Sequence, residues 1–190
     1  MTRFYSLTLC VFGLVMAVLA APQSIASTGT SALNATAKQM EKRMAAGENA
    51  LIGHSVTVKA PPDRIWANWM DVANWPTWDT EIKQSSADAP LGLGVTGKLI
   101  PKSGTTSSFK VISFEPQLPT PSYAFQTELP SATLQVTRSL VQQGDGTTFT
   151  HEVAFLGPNG PVFASQFGPV FWAALPAVMD NIAAQALLKK

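Results

Sequence analysis

The sequence predicts an α+β fold: an antiparallel sheet of about seven strands, two short helices after the first strand, and one long helix at the C-terminus. Three observations carry this reading. Short strand-like runs separated by turn residues recur from Leu51 to Leu156, and after Asp79 no helical pattern interrupts them, which argues antiparallel pairing over parallel crossovers. Pro61-Pro62 ends the first run, because proline removes a strand donor and suits the first turn of a helix. Apolar residues at three- and four-residue spacing then fill the segment from Pro161 to Lys190.

The chain has 190 residues, enough for a leader and one domain, read here as residues 51–190. Hydrophobic residues make up 46% and charged residues only 13%, low for a soluble domain. Residues 1–26 contribute to that imbalance, carrying Arg3 as their only charge and an apolar stretch from about Leu7 to Ala20, the pattern of a secretory signal peptide. Cleavage after Ala26 is expected, with Ala20 as the competing site. The placement implied is periplasmic or secreted; an uncleaved leader would instead anchor the chain in the inner membrane and be its one membrane contact. Cys10, the only cysteine, falls inside the leader, so the mature chain has no disulfide, zinc thiolate or thiol nucleophile. Removing the leader leaves 12 of the 13 basic and all 12 acidic side chains. That neutrality gives no electrostatic footprint for nucleic acid, and none is expected as a partner.

Residues 27–50 read as a linker with a short helix from about Asn34 to Ala46. From Leu51 to Lys59 the pattern has period two, with Ile52, His54, Val56 and Val58 on the core face. A short helix to about Met70 and a turn around Asn74 to Trp78 follow, holding Trp66, Trp69, Trp75 and Trp78, whose expected role is packing against the sheet edge, with ligand contact the alternative. Further strands are expected at about Glu81–Ala87, Gly97–Pro101, Thr106–Glu115, Ser122–Glu128, Ala132–Gln143 and Thr147–Leu156. Gly144-Asp145-Gly146 makes a tight hairpin between the last two, because glycine accepts positive φ. In the C-terminal segment Phe163, Phe167, Phe171, Ala174, Val178 and Ile182 form one stripe; Gly168-Pro169 is expected to open the main helix and Pro176 to kink it.

The stretch APPDRIWANWMDVANWPTWD after a strand, together with QQGDGTTFTHEVAFLG, resembles the polyketide cyclase/dehydrase and START-related (SRPBCC) superfamily. The resemblance spans roughly residues 50–188. It implies a helix-grip fold, in which a curved antiparallel sheet wraps the long C-terminal helix around an apolar cavity. It also implies that the first strand and the last two are neighbours.

No metal or nucleophile template appears: His54 and His151 are the only histidines, and no phosphate loop, G-x-S-x-G or H-E-x-x-H motif is present, so no metal or cofactor is expected. Strand parity is more informative. Leu134, Val136, Arg138 and Leu140 share one face, as do Phe149, His151, Val153 and Phe155. With the neighbouring strands that the resemblance implies, His54, Arg138 and His151 form a polar cluster on an otherwise apolar wall. Tyr123, Phe125, Val136, Phe149, Phe167 and Phe171 are the other expected lining residues. Arg138 would hold a carboxylate, phosphate or enolate oxygen, and a histidine beside it would move a proton near neutral pH. The plainer alternatives are that each histidine satisfies a neighbour and that Arg138 pairs with Glu128 or Glu152. The expected function is binding of a hydrophobic small molecule or lipid-like ligand; the alternatives are a cyclase or dehydratase-like enzyme with Arg138 stabilising an enolate and His54 or His151 as base, and a structural or interaction module whose interior is filled by side chains. The sequence does not specify the oligomeric state.

Overall fold

A computed structural model describes residues 51–188. The leader, the linker with its Asn34–Ala46 helix, and Lys189-Lys190 lie outside the described residues. Seven strands form one antiparallel sheet: β1 Leu51–Val58, β2 Ile82–Ala87, β3 Thr96–Pro101, β4 Ser107–Glu115, β5 Ser122–Leu129, β6 Ala132–Gln143 and β7 Gly146–Leu156. Their order across the sheet is β1-β7-β6-β5-β4-β3-β2, so the first strand closes against the last. Helix α1 spans Pro62–Met70, a 3₁₀ helix spans Val72–Thr77, and helix α2 spans Gly160–Leu188. This is the helix-grip α+β architecture, with strand ends displaced by no more than one residue from those the sequence pattern predicts.

Local chemistry explains the main junctions. Pro61 is extended at the N-cap of α1 and Pro62 opens the first turn, where a missing N–H costs little. The β6–β7 hairpin turns at Gly144-Asp145, with Gly144 at φ +58° and Gln143 opposite Gly146. In β4 a bulge between Val111 and Ser113 shifts the register, so that Phe114 pairs with Tyr123 and returns to the concave face.

The core lies between that face and the helices. Trp69, Trp75 and Trp78 are completely buried, with Ile52, Phe109, Val111, Phe125, Phe149, Val153, Met179 and Ile182 around them. Trp75 sits on the 3₁₀ helix and Trp78 caps its C-terminal end, and this segment is pinned on two sides. The Ser85 hydroxyl donates to the Val72 carbonyl at 2.6 Å from the sheet side. From α2, Asn181 donates to the Trp78 carbonyl at 3.0 Å and Gln185 to the Thr77 hydroxyl at 3.0 Å.

Helix α2 corrects one expectation: it starts at Gly160 and runs through Pro169, so Gly168-Pro169 does not open it. Pro161 occupies its first turn, and burial of Ala164, Phe167 and Gly168 holds the turns that precede Pro169. The stripe read from the sequence faces the sheet, with Val178 and Ile182 buried and Phe163, Phe171 and Ala174 half-buried.

Candidate ligand site on the concave face

Antiparallel register places four polar side chains in one row across four strands. His54 lies opposite His151, His151 opposite Arg138, and Arg138 opposite Tyr123. Residues directly paired in this way point to the same face, with Cα atoms about 4.5–5.5 Å apart. The row bulges polar chemistry into an apolar surface: Ile52, Val153, Val136 and Phe125 form the next row on one side, and Val56, Phe149 and Leu140 the next on the other. His54, Arg138 and His151, grouped by strand parity, are therefore brought together, and Tyr123 joins them.

Arg138 is the centre of the cluster. It is only 2% exposed, and its guanidinium donates from Nη1 to the Tyr123 hydroxyl oxygen at 2.6 Å. The planar cation lies over rings, its Cζ 4.5 Å from the Trp75 centroid and 4.9 Å from that of Trp78, a favourable arrangement for a desolvated charge. Tyr123 and Phe125 lie further out, at 5.8 and 5.7 Å. Neither Glu128 nor Glu152 pairs with it, and among the described residues no carboxylate stands within ion-pair distance of Arg138. Among the described residues Arg138 Nε has no hydrogen-bond partner, and neither have His151 Nδ1, Trp69 Nε1 or Trp78 Nε1.

Electrostatics follow from this geometry. Burial, and then the Arg138 charge, push the His151 pKa well below its ordinary value, so that His151 is neutral at physiological pH. Burial raises the Tyr123 phenol, partly opposed by Arg138. Burial likewise raises the half-buried Asp79 carboxyl, against the opposing pull of Arg138 and the Glu81 backbone N–H, which donates to Asp79 Oδ1 at 3.1 Å.

The row is bounded at both ends by half-buried groups, His54 on β1 and the Trp66–Phe114 ring pair beyond Tyr123, with centroids 5.9 Å apart. Of the other expected lining residues, Phe125, Val136 and Phe149 are buried in the flanking rows. Phe167 and Phe171 are not brought onto the cluster: their ring partners are Phe163 and Phe155, and Phe155 lies two rows from His151. Sequence reasoning placed Trp75 and Trp78 at the sheet edge and missed that they cover Arg138. Nothing in strand or helix periodicity reports a contact made by a 3₁₀ turn with a strand some sixty residues later.

The comparisons agree with this architecture. The chain shows 12% identity and a TM-score of 0.62 to a hypothetical protein, jhp0584, from Helicobacter pylori, over 72% of this chain and 87% of that one. Norcoclaurine synthase from Thalictrum flavum, in a structure with dopamine and hydroxybenzaldehyde, matches at 17% identity and TM-score 0.58, covering 75% of this chain and 88% of its own. Protein MLL2253 from Mesorhizobium loti matches at 14% identity and TM-score 0.58, covering 74% and 98%. Identities this low establish a shared fold and no more. Among curated proteins none matches. The family model for polyketide cyclase/dehydrase and lipid transport matches residues 50–188, and the chain belongs to that family.

Proposed function

We propose that this is an exported protein that binds a hydrophobic small molecule or lipid-like ligand against the concave face of its sheet. One observation carries the reading: a wall of aromatic and aliphatic side chains crossed by a single row of polar groups, His54, His151, Arg138 and Tyr123. Apolar surfaces with a few convergent polar groups are the usual form of small-molecule sites. The family's description, which includes lipid transport, and the ligands named for the norcoclaurine synthase structure support the same class. Export rests on the apolar, nearly uncharged leader.

Native mass spectrometry on protein gently purified from its own host, followed by organic extraction, tests the ligand. A discrete co-purifying amphiphile is expected. A clean apo mass, together with no enhancement of N-phenyl-1-naphthylamine fluorescence on titration, would refute binding. Cell fractionation tests export, and mature protein retained in the cytoplasm would refute it.

A further inference from the structure

The polar groups around Arg138 are short of acceptors. Arg138 Nε, Trp78 Nε1 and Trp69 Nε1 are buried N–H donors without a partner. The Tyr123 oxygen accepts from Arg138, so its own proton is directed away from the guanidinium. His151 Nδ1 is also unpartnered. Arg138 is 98% and His151 95% removed from solvent, both on the inner face. A permanent cation desolvated to this degree without a paired anion carries a large penalty, and the four surrounding rings offset only part of it.

The obvious internal counter-charge does not serve. Asp79 lies near enough to feel Arg138, yet among the described residues it makes no salt bridge with it, and burial raises its carboxyl on balance. Its Oδ1 is engaged by the Glu81 N–H.

We propose that the Arg138 cluster is a head-group site for one negative charge, the carboxylate of a single-chain or aromatic amphiphile whose apolar part lies along the concave wall. This rests on the hydrophobic-ligand reading above and narrows it. A carboxylate offers only acceptors, which matches the unpartnered Arg138 and tryptophan donors and forms a charge-assisted bond that an alcohol cannot. The charge count sets the valence. Arg138 is the one cation in the row and, among the described residues, has no salt-bridged carboxylate, so a monoanion pairs with it one to one whereas a phosphate dianion brings a second charge into an apolar interior.

The test is displacement of the uncharged probe N-phenyl-1-naphthylamine from the purified chain by dodecanoate, dodecanol and dodecyl phosphate, at about pH 8 where the phosphate is a dianion. Dodecanoate should be at least about tenfold more potent than either competitor, as a charge-assisted hydrogen bond implies. In Arg138→Met that preference should vanish while dodecanol displacement is retained, which also shows that the variant is folded. Arg138→Gln, which keeps a donor toward Tyr123, should lose the preference as well. Equal potency of dodecanoate and dodecanol on the parent chain, or a preference that survives both substitutions, would overturn the head-group assignment and leave the hydrophobic-ligand reading standing. Displacement by none of the three would overturn both.

Discussion

Tyr123→Phe removes a single oxygen from the centre of the site. The phenyl ring keeps its edge contacts with Trp66 and Trp69, centroids 5.8 and 6.1 Å away, so packing changes little. What is lost is the 2.6 Å acceptor for Arg138 Nη1, between two side chains 1% and 2% exposed. Nη1 would then join Nε as a second unsatisfied donor on a buried cation. Hydrogen bonds to charged groups contribute about 1.5–3 kcal/mol, so a loss of about 2 kcal/mol is expected. With a urea slope of about 2 kcal/mol per molar, the unfolding midpoint should fall by about 1 M. The same substitution in an Arg138→Met background should cost close to nothing, giving a coupling energy of at least about 1 kcal/mol in the double-mutant cycle. A cost below about 0.5 kcal/mol, or an equal cost in both backgrounds, would show that the bond contributes nothing net and refute the reasoning.

Further outcomes follow from the same geometry. His151 has a folded pKa below its unfolded value of about 6.5, so its neutral form contributes fully above that pH. As pH falls below it, the unfolded chain takes up a proton that the folded chain resists, and stability should drop by up to about 1.4 kcal/mol per pH unit. His151→Gln should flatten that slope in urea titrations between about pH 7.5 and 5.5, and an unchanged slope would exclude His151 as its source. Asp79, whose carboxyl is raised, acts in the opposite sense, being most favourable below its unfolded value of 3.8 and losing that contribution as pH rises through its folded one. Trp75→Ala removes stacking on Phe109 and Phe125, the cover over Arg138 and a bond to the Trp69 carbonyl, and should cost about 3–5 kcal/mol by chemical denaturation. Gly97→Ala drives a Cβ into the Ser86 carbonyl oxygen and the Phe109 ring in a packed core, for which a loss of at least about 2 kcal/mol is expected in thermal unfolding.

Strands were legible because alternation is a local signal and every strand here keeps it on at least one face. The inward direction of Arg138 and His151 came from the same parity. Their meeting did not: it needs β1, β7 and β6 to be neighbours, which the family resemblance implied and the pattern alone does not contain. Phe114 shows the limit of parity. Counted from Val111 it falls on the outer face, and the bulge at Ile112 returns it inward, a backbone event without a residue signature. The start of α2 was misplaced because Gly-Pro is a strong local breaker. Burial of Ala164 and Phe167 against the domain overrides it, and tertiary burial is not written in a dipeptide. The tryptophans were rightly read as buried, but their second role, as the aromatic cover of a cation, arises only from three-dimensional proximity.

The pairing of β1 with β7 also constrains how the domain comes to exist. Ser55 and Thr150, joined by their hydroxyls at 2.8 Å, are 95 positions apart, and every contact of the β1–β7 ladder has a comparable separation. Closing such a loop costs entropy before any pairing energy is recovered, which places this fold among slower assemblers. While the ribosome is still making the middle strands, β1 has no partner and the tryptophan segment behind it has no finished sheet to cover. Any fragment that stops at the β6–β7 turn leaves Trp69 without Phe149 and Arg138 without His151 beside it. The smallest piece expected to fold by itself is therefore the whole span from β1 to the end of α2.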